Sequence, residues 1–109
     1  MVDDYTCYCP RRGWKTCHTE FRTTAEEGGT VTVSIDDVPN SVGRAPNSVH
    51  IQLVGCGAGT QIGDTAGWDR DEDGVSKVLA KDVPVDTCFQ LRLSADSIHW
   101  FTIRGQVIH

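Results

Sequence analysis

Three stretches of this chain change polarity at every second residue, and that rhythm narrows the fold more than any other feature of the sequence. In TVTVSI, Val31, Val33 and Ile35 fall on one side and Thr30, Thr32 and Ser34 on the other. SVHIQLVG repeats the pattern with Val49, Ile51 and Leu53 against His50 and Gln52, and CFQLRLSA repeats it with Phe89, Leu91 and Leu93 against Gln90 and Arg92. A period of two is the mark of a strand with one face on a core and one in water.

Weaker strands are expected at 5–9, 17–24 and 75–83. The closing stretch SIHWFTIRGQVI carries apolar residues on both parities, which predicts a strand covered on both faces or one that changes sheets near Gly105. Between these segments EEGG, DVPNSVGRAPNS and GCGAGTQIGDTAG are rich in Gly, Pro, Asn and Asp and are expected to be turns. The best helical candidate, VSKVLAKDV, is short, β-branched at both ends and interrupted by Asp82 on its apolar face, so no helix is expected. About seven or eight short strands in 109 residues predict an all-β, antiparallel β-sandwich of jelly-roll or immunoglobulin-like layout. The expected division is an N-terminal cysteine-bearing arm, residues 1–17, and a β-sandwich domain, residues 18–109.

Five cysteines in so short a chain point to an oxidising, extracellular setting. Cys56 ends one alternating strand and Cys88 begins another, both on the parity opposite to the apolar residues. If those strands are antiparallel neighbours the two meet, and the bridge would stabilise the fold by roughly 3 to 4 kcal/mol. In CYCPRRGWKTC, Cys7 and Cys9 are two apart and share a side, so either could reach Cys17. Cys9–Cys17 stands as the working pair with Cys7 as its alternative. A zinc site from Cys7, Cys9, Cys17 and His18 is disfavoured because adjacent residues of a strand point oppositely.

The order EEGGTVTVSIDDV, VHIQLVG, FQLRLSA, HWFTIRGQV resembles the pre-peptidase C-terminal-like domains, small β-sandwich modules of bacterial secreted enzymes. The likeness covers roughly residues 27–108 and lies in strand texture. It implies an accessory, non-catalytic role in targeting or docking. The cysteines and the segment before residue 18 are not part of that pattern.

Charge removes some functions. Fifteen acids against ten bases give a net charge of -5, which repels phosphate backbones, so no nucleic-acid partner is expected. No apolar run is long enough to insert into a membrane, and the polar opening MVDDYT does not read as a signal peptide. Met1 is then expected to stand where a leader has been removed.

Two loops carry candidate sites. Asp69, Asp71 and Asp73, followed by Gly74, reproduce the first half of a calcium loop, but the twelfth position is Ala80 where a bidentate glutamate belongs. Asp64, Glu72 or Asp82 could complete a non-standard site. The competing expectation is a solvated Asp-Gly hairpin turn. With calcium present, Trp68 beside it would suit sugar stacking. The PRRGWK loop offers Arg11, Arg12, Trp14 and Lys15, and Arg and Trp are the residue types that dominate interfaces. The alternative there is a basic hairpin with Trp14 folded onto the sheet.

Catalysis finds no support: the histidines lack a nucleophile in a suitable setting, and Asp36 and Asp37 would diverge on a strand. The expected function is a secreted, non-catalytic binding module that docks to a partner protein, with the arm as added strand or clamp and the PRRGWK tip as anchor. A carbohydrate-binding, lectin-like module using Trp68 and possible calcium is the alternative. A small protease inhibitor presenting Arg11 or Arg12 is a third.

Overall fold

The computed structural model describes residues 2–9, 13–23, 29–36, 48–57, 59–69, 72, 74–95 and 101–109, and of residues 9 and 101 the backbone alone. Eight strands run in chain order: β1 (Val2–Cys9), β2 (Lys15–Arg22), β3 (Gly29–Ser34), β4 (Ser48–Gly55), β5 (Gln61–Asp69), β6 (Ser76–Val83), β7 (Cys88–Ala95) and β8 (Phe101–Ile108). They form two four-stranded sheets, β1-β8-β3-β6 and β2-β7-β4-β5, and every pairing is antiparallel. No helix occurs among the described residues, so none is long and apolar enough to cross a membrane.

The pairings are nested. β1 pairs with β8, β2 with β7, β3 with β6 and β4 with β5, as in one long hairpin rolled over on itself. That is the jelly-roll arrangement, which decides between the two layouts the sequence left open. The inward residues of the two sheets interdigitate: Val31, Val33, Ile103 and Val107 from one, Ile51, Leu53, Phe89, Leu91 and Leu93 from the other, all essentially without solvent contact. Alternation in β7 is unbroken, because it lies inside its sheet with neighbours on both sides.

Several expectations change. β1 lies within the segment read as an arm, yet it pairs with β8 along its whole length and buries Tyr5 and Cys7. The boundary at residue 17 falls inside β2. Residues 61–67 of the stretch read as a turn, 55–67, lie in β5, an edge strand whose exposed side chains leave no apolar rhythm to read. β8 does not change sheets: Ile103, Gly105 and Val107 face the core while Arg104, Gln106 and Ile108 are exposed. The irregular pattern of VSKVLAKDV reflects a register shift opposite Val31 and Thr32, which turns both Leu79 and Ala80 inward.

Both open sides of the sandwich are tied. On one side Cys7 of β1 bonds Cys17 of β2, across the two sheets, with Cα atoms 5.6 Å apart. On the other, Gly63 of β5, at φ 73°, lies against the Leu79 carbonyl and Ala80 of β6 so closely that a Cβ would not fit.

Candidate functional site

The cysteine bridges set the frame. Cys56–Cys88 forms as expected, joining the turn after β4 to the first residue of the neighbouring β7. The partner of Cys17 is Cys7, which corrects the Cys9–Cys17 pairing. β1 and β2 belong to different sheets, so no ladder aligns them, and their packing offset brings the inward side chain of Cys7 to Cys17. With both sulfurs oxidised, neither Cys7 nor Cys17 can serve a zinc ion. The one group of metal-ligating types among the described residues, Glu20 with Cys56 and Cys88, likewise contains a disulfide instead of thiolates.

The acidic loop links β5 in one sheet to β6 in the other, so it is a crossover and not a hairpin. Asp71 and Asp73 lie outside the described residues, and Asp69 is exposed at the end of β5. Glu72 is fully engaged as a latch. Its Oε1 accepts from the Asp69 N–H at 2.9 Å, its own N–H donates to the Asp69 carbonyl at 3.0 Å, and its Oε2 meets Lys77 Nζ at 2.8 Å. The Gly74 N–H then reaches the Ile35 carbonyl at 2.8 Å, pinning the crossover to the end of β3. In this structure both Glu72 carboxylate oxygens thus close the loop.

That latch titrates. The hydrogen bond from Lys77, followed by that from the Asp69 N–H, holds the Glu72 carboxyl below its ordinary value, against a smaller opposing effect of burial. A lowered folded value means the latch stabilises fully above the unfolded carboxyl range and loses that contribution as pH falls from there through the lowered folded value. Glu72→Gln is expected to weaken the fold at neutral pH and to flatten the acid limb of the stability profile. A denaturant midpoint series from neutral to acid pH checks this, and parallel profiles for the two proteins would reject it.

Trp68 is not available to a sugar. It is 2% exposed, packed in the core, with its indole N–H donating to the Val75 carbonyl at 2.8 Å and Lys77 Nζ 5.4 Å from the ring centre. Two extra residues in β5 between the Ile51 and Leu53 pairings keep Ile62, Ala66 and Trp68 on the inward side.

The 10–14 segment also crosses between sheets, from β1 to β2. Arg11 and Arg12 lie outside the described residues. Lys15 is exposed, and Trp14 is 46% exposed with its ring against the outer face of the second sheet, 5.3 Å from the Arg92 guanidinium carbon. Trp14 thus rests beside Arg92 while keeping nearly half of its surface exposed.

Two surfaces emerge that the sequence did not single out. One is a cleft of about 270 Å³ over the Cys7–Cys17 bridge, lined by Thr6, Tyr8, Lys15, Thr16, His18 and Thr19 between the edge strands β1 and β2. Its lip is Tyr8, 50% exposed. The other is a row across the outer face of the second sheet. Arg92 Nε and Nη2 both donate to Gln52 Oε1, at 3.1 and 2.5 Å, and Gln52 Nε2 donates to Thr65 Oγ1 at 2.8 Å. Outward parity of Gln52 and Arg92 was readable in the sequence, but their cross-strand pairing was not.

His50 is exposed and lies over Gly67, His18 is exposed on β2, and His99 is outside the described residues. His109 is buried, 2.7 Å from Asp3 Oδ2, edge-on to Phe21 and Phe89. Asp36 accepts from Ser34 Oγ at 3.0 Å.

Fold and surfaces together define a disulfide-stapled jelly-roll module with an open edge and a polar sheet face. No protein-family model matches the chain, and no curated protein is similar to it in sequence.

Proposed function

We propose that the protein is an extracellular, non-catalytic binding module that docks a partner protein by taking an extended segment of that partner along β1. The observation that carries this is the edge position of β1: it pairs with β8 on one side only among the described residues. Such an edge presents backbone N–H and C=O groups to an incoming strand. Its outward side chains include exposed Val2 and Tyr8, which supply apolar contact, and the cleft beside it gives a side chain of the guest a place to enter. The Cys7–Cys17 bridge holds the edge rigid, which lowers the ordering cost of association. The two disulfides support the extracellular setting. The accessory role implied by the pre-peptidase C-terminal-like resemblance agrees with this reading.

The test uses the tagged protein to capture a stoichiometric partner from the culture medium of its source, followed by affinity measurement with that partner. Val2→Asp and Tyr8→Ala are expected to weaken binding by more than tenfold, and the β1 amides to gain hydrogen-exchange protection in the complex. Failure to retain a stoichiometric protein, or a complex that leaves the β1 amides unprotected, removes the proposal.

A second reading, carbohydrate recognition, is favoured by one observation: the exposed Trp14 ring beside a row of fixed amide, guanidinium and hydroxyl groups on the second sheet. It moves from Trp68, which is buried, to Trp14.

A further inference from the structure

We infer that the row Trp14–Arg92–Gln52–Thr65 is a recognition site for sugars that carry a carboxylate, that is, uronic-acid oligosaccharides. The inference rests on the carbohydrate reading above and names its ligand class. It is independent of docking along β1, which lies in the other sheet.

The row runs from Trp14, the residue just before β2, over β7 and β4 to β5, nearly at right angles to these strands. At about 4.8 Å between strands it spans roughly 14 Å, long enough for a short run of sugar rings. Thr16 and Gln52 both lie directly opposite Arg92 in register, one on each side. Trp14 follows the same parity as Thr16, and its ring covers Arg92 from the β2 side.

Arg92 makes the site specific for an acid. Its guanidinium is held on one edge by the neutral carbonyl of Gln52, and no carboxylate pairs with it among the described residues. A half-buried cation secured by an amide keeps its charge for something else. The N–H groups of Nη1 and the second one of Nη2 remain, and that pair is the fork that meets a carboxylate in two parallel bonds. The Gln52–Thr65 bond fixes the amide, so the fork is oriented before a ligand arrives.

The same composition disfavours a protein on this face. Apart from Trp14, the row is guanidinium, amide and hydroxyl, without the aliphatic centre that protein interfaces bury. A flat aromatic beside polar hydrogen-bonding groups suits a pyranose, whose ring presents one apolar face and a rim of hydroxyls.

Calorimetric titration with tetragalacturonate, its methyl ester, cellotetraose and a tetraglutamate peptide tests the assignment. The free-acid sugar is expected to bind, and the ester to bind at least tenfold more weakly. Arg92→Lys, which keeps the charge but loses the fork, is expected to weaken the acid sugar more than tenfold and to remove most of its advantage over the ester. Trp14→Ala, at a half-exposed position, is expected to weaken all sugars without lowering the thermal midpoint, and serves if the Arg92 variant does not fold. Equal binding of the acid, the ester and cellotetraose would overturn the carboxylate assignment while the carbohydrate reading stands. Binding of none of the sugars would overturn both. Equal or tighter binding of tetraglutamate would overturn the inference in favour of an acidic peptide.

Discussion

Reduction of both disulfides is expected to lower the stability of this domain by about 6 kcal/mol, a large share of the margin of a domain this size. In the chain-entropy model a crosslink stabilises by removing freedom from the unfolded chain, in proportion to the logarithm of the loop it closes. Cys56–Cys88 spans a separation of 32 residues and contributes about 3.7 kcal/mol, while Cys7–Cys17 spans 10 and contributes about 2.7 kcal/mol. The loops do not overlap in sequence, so the two contributions add. A domain of this size holds a margin of roughly 5 to 15 kcal/mol, and the loss should move the thermal midpoint down by about 20 °C or more. The two bridges also fail differently. Cys56–Cys88 sits at the surface and its removal acts on the unfolded chain. Cys7 and Cys17 are core residues linking two sheets, so Cys7→Ala with Cys17→Ala also opens a void and frees β1 from β2. Guanidinium unfolding of the oxidised, reduced and doubly substituted proteins checks this, with a steeper dependence on denaturant in the reduced form because its unfolded chain expands. A reduced protein within a few degrees of the oxidised one would refute the account.

The strands that were legible in the sequence are those that lie between two neighbours or bury one face completely. β7 alternates without a break, and in β3 and β4 Val31, Val33, Val49, Ile51 and Leu53 enter the core at every second position even though Ser34, Gln52 and Val54 of the opposite parity are also covered. β5 was missed because it is an edge strand held mainly by its backbone pairing to β4. Gly63, Asp64 and Thr65 along it need no apolar rhythm. β2 and β5 each accommodate two extra residues opposite their partners. An even number restores the parity, so Cys17 and Phe21 both face inward, but no alternation of the sequence announces such an insertion. The Cys56–Cys88 bridge followed from strand ends and parity, since β4 and β7, which lead into and out from the two residues, are neighbours in one sheet. Choosing Cys7 over Cys9 requires the offset between two sheets, which no local pattern encodes. The same limit hid the Arg92–Gln52–Thr65 row. Gln52 and Arg92 were visibly outward, but Thr65 lay in a stretch read as a turn, and their adjacency is a fact of register. Trp14 and Trp68 were equally eligible for exposure, and only the path of β5 into the core separates them.

Gly105→Ala is expected to destabilise the protein by about 1 to 6 kcal/mol, although alanine is in general the better residue for ordering a chain. Gly105 pairs with Tyr5 in the β1–β8 ladder, and the β3 backbone climbs over it where the β3–β8 pairing ends after Val33. A Cβ at this position would fall well inside contact distance of the Ser34 carbonyl oxygen and 2.9 Å from Tyr5 Cε1. Neither neighbour can yield freely. The Ser34 carbonyl accepts the Tyr5 hydroxyl at 2.8 Å, Ser34 Oγ accepts the Gln106 N–H at 3.2 Å, and the Asp36 N–H donates to the Arg104 carbonyl at 2.8 Å. Making room means shifting backbone, which costs about 1 to 3 kcal/mol for an overpacked core. Breaking the buried Tyr5–Ser34 bond adds about 1 to 3 kcal/mol. Against this, the entropy gained by replacing glycine is worth less than about 1 kcal/mol. Gly55→Ala is the matched control, since a Cβ there meets only the Thr60 carbonyl at 3.8 Å, and it should stay within about 1 kcal/mol of wild type. The Gly105 substitution also bears on recognition, because Tyr5 is the residue that anchors the middle of β1 to the core. Displacing it loosens the edge offered to a partner strand while leaving the Trp14–Arg92 row, in the other sheet, in place. Denaturant midpoints for the two glycine variants, together with hydrogen exchange of the β1 amides, measure both effects, and a Gly105→Ala protein as stable as Gly55→Ala would show that the crossing of β3 over β8 is not the constraint described.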